Sequence, residues 1–588
     1  MFVSAVARAL PFAADAQRLR TTPAGWPVAT RLTCYANGAR EVLPMNALLI
    51  VSALAFAQPA PHDHHHPADE LGKVNFQTTC SPTAQSTFER GVAWLHSFEY
   101  QRAEKTFNEA AAADPSCAIA YWGSAMSNYH PLWASPTPAE LEKGRAAVAK
   151  AEATPAKSER ERDYVAAIAT FYRDSDTLDH KTRALAYNSA MADLHKRYPA
   201  DDEAAVFYAL SQIAAGTIDK DPNFARQKDA AAILNKVLKD EPDHPGVAHY
   251  LIHSFDYPAL AELALPAAHR YADIAPASAH AQHMPSHIFT RLGLWDESIK
   301  SNLAAESAAL AFAKSSGMAG AWDQQLHAMD YLAYAYLQEG RDSDAQKVLD
   351  DLVAMQRVDP PSPTTAYAAT AIPSRVLLER RRWKEAAEFK LPAATASLTA
   401  LSNQKWSLAN IEFAKAIGAA RSGDVRLAKE QSAKLTALEQ SLTIQPGDYD
   451  WRTQVSIERQ IADAWVAFTE GKKDEAVALM RAAADLDDAT EKHPVTPGAI
   501  LPAREQLGEL LLEEGLAKDA LAAYEASLKR APRRLSGLYG AARSAKLAGD
   551  ASKASKYYAE LVDLTKASDG ARAEVREARA ETAKLAVR

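Results

Sequence analysis

The sequence predicts an all-α protein, a solenoid of stacked helix–turn–helix units. Three observations predict it. From about residue 76 onward apolar residues recur at helical spacing, and no run alternates β-branched with polar residues as a strand would. Glycine and proline appear mainly as punctuation between those stretches. Residues of one kind also return after 34 positions, as Ala520 and Ala554 do. A chain of 588 residues exceeds one hydrophobic core, so it is expected to be several domains or such an array.

The chain opens differently. Residues 1–44 have no sustained period and are expected to be an untranslated or unstructured extension. Met45 begins "MNALLIVSALAFAQPAP", an apolar run that ends in Ala55-Phe56-Ala57, the small-x-small pattern of a signal-peptidase site. A signal peptide at 45–57 is therefore expected, and with it an exported protein, periplasmic or secreted. The run is too short to span a bilayer, and no later apolar segment is long enough to do so. The whole chain has 66 basic and 74 acidic residues, a formal charge of −8; without residues 1–57 it has 61 against 72. Such a chain is not built to coat nucleic acid. Residues 58–75 include "QPAPHDHHHPADE", with His62, His64, His65 and His66, and are expected to form a disordered tail. Cys34 falls in the extension. That leaves Cys80 and Cys117, a disulfide candidate in an oxidising compartment, with two buried thiols as the alternative.

In "RGVAWLHSFEYQRAEKTFNEAAAADP", Gly91, Trp94, Ala103, Phe107, Ala110 and Pro115 fall at the signature places of a helix-pair repeat. In "GELLLEEGLAKDALAAYEASLKRAP", Gly508, Leu511, Ala520, Tyr524 and Pro532 do the same. Small residues let the two helices of a unit approach, the aromatic fills the gap, and proline ends the second helix. Turns between paired helices are expected at Gly293, Gly340, Arg381, Gly423 and Gly471. Over most of residues 84–567 the chain resembles the tetratricopeptide-repeat family. "LHSFEY", "DPSCAIAYWG", "HYLIHSFDYP" and "HMPSHIFTRLGLWDES" resemble a group of exported bacterial repeat proteins of unsettled function. The resemblance implies a right-handed α-solenoid with a concave groove. Residues 131–244 keep the period less well, and "DPPSPTT" and "QPGDYDW" interrupt it. An N-terminal solenoid at 76–444 and a C-terminal one at 445–588 are expected.

The histidines follow the repeat. Counted from Pro245 and from Ala279, His249 and His253 are the fifth and ninth residues of one unit, and His283 and His287 those of the next. Each pair is spaced i, i+4 and shares a helix face. The following unit, from Leu326, places Asp330 and Tyr334 there, and His280 and His327 are both second residues. In the family these places resemble the ones that line the groove. His96 and His130, also 34 apart, form a thinner column near Trp94, Trp122 and Trp133.

Three readings compete. In the first, His249, His253, His283 and His287 hold one Zn, Cu, Ni or Fe ion, with Asp330 or His327 completing the shell. An open position on that ion would activate water. In the second, His96, His130, His280, Tyr334, Arg291 and Trp122 line a groove for a protein or peptide segment. In the third, the histidines bond to neighbouring carbonyls and carboxylates, Asp256 and Asp273 among them, as a polar seam. No nucleophile elbow, phosphate loop, dinucleotide fingerprint or H-E-x-x-H is present, so no catalytic residue is assigned. Glu505 and Glu509 are expected on a solvated or partner-facing edge, and "KRAPRR" is too small a basic cluster for nucleic acid. The function expected first is a scaffold or adaptor that holds a protein segment; the alternative is a metal-binding protein or metalloenzyme.

Overall fold

In many of the helix pairs one residue in the left-handed region sets the turn. The structure, a computed structural model, describes residues 70–132, 135–401 and 404–586. The expected leader at 45–57, the tail at His62–His66 and Trp133 lie outside them. Gly293, Gly340, Gly423, Gly471, Gly515 and Gly549 all have positive φ and stand two residues before the second helix of a pair. The next amide closes back five residues: Leu294 N–H donates to the Phe289 carbonyl (2.8 Å) and Arg341 N–H to that of Tyr336 (2.9 Å). These bonds satisfy carbonyls the first helix leaves open and turn the chain back on itself. Arg381 (φ 54°) and Phe98 (φ 53°) hold the same place without glycine's freedom.

Where a glycine of one helix faces an aromatic of the next, the helices close up. A Cβ on Gly508 would meet the Tyr524 ring at 2.8 Å, and one on Gly540 at 2.0 Å. Helix pairs run from Pro82–His96 with Tyr100–Ala113 to Leu535–Leu547 with Ala551–Leu564, and no named strand occurs among the described residues. The stretch at 131–244 continues the pattern, with helices Pro138–Ala153, Glu159–Tyr172, His180–Arg197, Asp202–Asp219 and Ala225–Asp240. Cys80 and Cys117 are joined by a disulfide with the alpha carbons 4.9 Å apart. Residues 70–75, expected in the disordered tail, are packed: Leu71 is buried and Lys73 N–H donates to the Asp243 carbonyl (3.0 Å).

The expected break at 444/445 is not a break in packing. The described residues form one unit, and helices Val425–Ser441 and Trp451–Thr469 pack on each other across it. The later pairs also return to the middle of the chain. One core unites Trp295, Leu332, Tyr334, Leu535 and Tyr558. The Trp295 indole N–H donates to the Arg533 carbonyl (2.8 Å), and Arg572 pairs with Asp342 (2.6 Å). The buried Arg534 guanidinium bonds Glu379, Glu505 and the Tyr334 hydroxyl. No helix among the described residues is long and apolar enough to cross a membrane.

Between helices Lys473–Asp488 and Ala503–Glu513 a long loop, residues 489–502, runs over the central units. Tyr331 O–H donates to the Thr496 carbonyl (3.1 Å), and Arg375 donates to the carbonyls of Gly498 (2.7 Å) and Ala499 (2.8 Å). Lys492 reaches Asp256 (3.4 Å), and Glu491 reaches Arg291 (3.3 Å). The face expected to form an open groove is thus covered by the chain's own loop.

Candidate metal centre

Six histidines converge in two triads. The helix Pro245–Phe255 presents His249 and, one turn on, His253; His280 joins them from the start of Ala279–His283. The Nε2 atom of His249 lies 3.1 Å from that of His253 and 3.2 Å from that of His280. His283 and His287 face each other across Met284, which stays helical although Pro285 breaks the hydrogen-bond ladder; His327 reaches them from Asp323–Gln338. Their ligand atoms lie within 4.8 Å of one another, as do those of the first triad. All six rings are buried, none more than 8 % exposed. Each triad therefore takes the fifth and ninth residues of one unit and the second residue of the next.

The outer nitrogens are anchored. His249 Nδ1–H donates to the His96 carbonyl (2.6 Å) and His283 Nδ1–H to the Asn302 carboxamide oxygen (2.6 Å). Asn302 Nδ2 donates to the Ser298 carbonyl (2.7 Å), which fixes the amide's orientation. His287 Nδ1–H donates to Asp256 (3.0 Å), whose other oxygen accepts from Arg291 (2.8 Å). Burial, partly offset by Asp256, pushes the His287 pKa down; burial and the His287 ring push that of His283 well below its ordinary value. Both rings are neutral, with one proton each. That proton sits on Nδ1 in each, so the Nε2 lone pairs of His283 and His287 face one another at 3.0 Å with no hydrogen between. In the first triad the single Nε2 lone pair of His249 is approached by two rings.

Two nitrogens on one ion, at N–metal distances of about 2.0–2.1 Å, are roughly 2.9–3.4 Å apart at angles from square to tetrahedral. The His249–His253, His249–His280 and His283–His287 separations fall in that range, and the remaining pairs of each triad lie within 4.8 Å. Outer nitrogens held by a carbonyl, a carboxamide and a carboxylate are the supports that orient metal-bound imidazoles.

A third cluster behaves otherwise. His96 Nε2–H donates to Glu203 (2.9 Å) and His244 Nε2–H to its other oxygen (3.1 Å). Tyr250 O–H donates to His96 Nδ1 (2.9 Å), and Val247 N–H to His244 Nδ1 (3.3 Å). Every proton has a place, so this cluster closes by hydrogen bonds alone. Burial would raise the Glu203 pKa, but the two imidazoles hold it well below the carboxylate range.

Other residues are placed differently from expectation. The four histidines assigned to one ion divide between two triads, and His280, assigned to the groove, stands in the first. Asp330 is no ligand to either: it pairs with the buried Arg375 (3.3 Å), and burial raises its pKa to about 6. Trp122 is enclosed by Phe76, Phe88 and Phe207. His96 belongs to the Glu203 cluster. His130 bonds the Ser127 carbonyl (3.0 Å) beside Tyr100. Tyr334 and Arg291 lie under the later units and the loop. The returning chain covers Tyr334 and Arg291, whereas Trp122, His96 and His130 are packed among residues of the N-terminal helices. Glu505 pairs with Arg534, and Glu509 with Arg381 (2.6 Å) and Arg421 (2.9 Å), so neither forms a solvated edge. Sequence reasoning missed Asn302, His244 and the covering loop. The loop's signal was present: 14 residues with three prolines between helices that elsewhere join in short turns.

The described residues build an all-α solenoid of paired helices. No family model and no curated protein matches it. Solved structures similar to it include the human IFIT1 dimer with m7Gppp-AAAA, at 13 % identity over 76 % of this chain and 90 % of that one, TM-score 0.35. Yeast Tom70 is similar at 11 % identity over 86 % and 96 %, TM-score 0.32. The APC/C hetero-tetramer Cut9–Hcn1 is similar at 13 % over 84 % and 76 %, TM-score 0.30. Likenesses of this size carry no argument about ligands; the architecture rests on the hairpins themselves.

Proposed function

We propose that this solenoid is a transition-metal-binding protein that holds one ion in each histidine triad. The observation that carries the reading is the His283–His287 contact: two neutral imidazoles, their protons committed elsewhere, aim lone pairs at each other 3.0 Å apart. In a dry interior that contact is repulsive, and a cation between the rings converts it into coordination. The ions imidazole suits are Zn, Cu, Ni and Fe. The chain remains a helical scaffold, but on this reading its cargo is a pair of ions rather than a peptide. Of the residues nominated for a peptide groove, Tyr334 and Arg291 are covered by residues 489–502 and the later helix pairs, and the others are taken up in N-terminal packing or in the first triad. Export belongs to the same proposal. The Cys80–Cys117 disulfide suits an oxidising compartment, and the mature protein is expected to begin at Gln58.

Metal analysis tests it. Full-length protein purified without an affinity tag, with His62, His64, His65 and His66 changed to alanine, is expected to carry or take up two ions per chain. His283→Ala is expected to remove one of them. Less than about a tenth of an equivalent, with no uptake on titration, would sink the reading, since a formed site binds far more tightly than that.

A further inference from the structure

The two triads adjoin. The rings of His253 and His287 lie 6.3 Å apart, and so do those of His280 and His283. Two bound ions would therefore share one enclosed space. All six donors are neutral imidazoles, with no carboxylate or thiolate within the triads. Asp256 bonds the triad histidine His287, and Arg291 and Lys492 both sit against it. The surroundings thus bring no negative charge to spare. Two divalent ions would put four positive charges into this space, and buried charge without a counter-ion is costly. Two monovalent ions halve that load. Of the metals imidazole suits, copper is the one with a common monovalent state, and three nitrogens suffice for it.

We propose that the triads form a single dicopper centre, cuprous at rest, that binds dioxygen as a bridging peroxide; the inference rests on the metal reading above. The step balances. Each copper(I) gives one electron and becomes copper(II), and the dioxygen double bond falls to the single bond of a peroxide dianion. No proton is taken up. The pair and its bridge carry two positive charges before and after, so the buried site never faces the fourfold charge of two bare divalent ions. Phe98, strained at positive φ where other turns use glycine, lays its ring against His249, His253 and His280 and covers the first triad.

The test uses the full chain with the four tail histidines changed to alanine, loaded anaerobically with copper(I) and then exposed to dioxygen. Two coppers per chain are expected, with one dioxygen consumed per pair, a near-ultraviolet charge-transfer band and no copper(II) paramagnetic resonance signal, because the two spins couple. His327→Ala is expected to bind one copper, consume no dioxygen as a pair and unfold as cooperatively as the parent. Two coppers that stay reduced, or that oxidise to two independent resonance signals, would overturn the pair while leaving metal binding intact. Preferential retention of two zinc ions over copper(I) would do the same. Failure to bind any of these metals would overturn both readings.

Discussion

Glu458 shows at the scale of one residue how this interior treats charge. Its carboxyl is buried in the helix Trp451–Thr469, and burial, only partly offset by Arg375, raises its pKa to about 8. The folded state keeps a proton that the unfolded chain releases near the ordinary carboxylate value. The stability this contributes is complete below that value and is lost as pH rises through about 8. Glu458→Gln carries no charge at any pH. It is expected to melt with the parent at pH 5 and about 2–4 °C above it at pH 9, by thermal unfolding followed by circular dichroism. The triad histidines follow the same rule with the opposite charge: burial holds them neutral, which is the form that ligates.

At the scale of the element, the hairpin turn and the disulfide decide most. Gly293 and Gly423 share the left-handed turn position, but their surroundings differ. A Cβ at Gly293 would stand 2.5 Å from the Pro532 carbonyl oxygen, whereas nothing lies within 4 Å at Gly423. Gly423→Ala is therefore expected to cost about 1 kcal/mol, the backbone term alone. Gly293→Ala adds a clash with the returning chain and is expected to cost at least about 2 kcal/mol more, measured by urea unfolding. The Cys80–Cys117 bond closes a loop with a sequence separation of 37. Replacing both cysteines by serine is expected to remove about 3–4 kcal/mol in the same assay, by freeing the unfolded chain.

At the scale of the whole molecule, the later helix pairs clamp the middle of the chain through Arg534, whose partners are Tyr334 and Glu505 on two different helices and Glu379 at the C-terminal cap of a third. Removing that guanidinium leaves two buried carboxylates without their cation. Arg534→Ala is expected to cost about 3–5 kcal/mol and to separate one calorimetric transition into two. A single transition at the parent's temperature would refute the clamp. Metal loading is expected to raise the melting temperature of the parent, because the ions bind only the folded arrangement.

The sequence by itself determined the helices, the hairpin turns at Gly293, Gly340, Arg381, Gly423 and Gly471, and the register that gives His249 and His283, and His253 and His287, the same places in successive units. Those features follow from local periods, 3.6 residues within a helix and 34 along the array, which neighbouring residues enforce without help from distant ones. Only the tertiary structure decided that the four histidines divide between two triads, that His280 and His327 join them, and that Asp330 turns away to Arg375. It also decided that residues 489–502 close the face that one array alone would leave open. These outcomes depend on contacts between residues as far apart as Asp256 and Lys492. Which side chains meet there is settled by how the solenoid curls back on itself, and no local period encodes that.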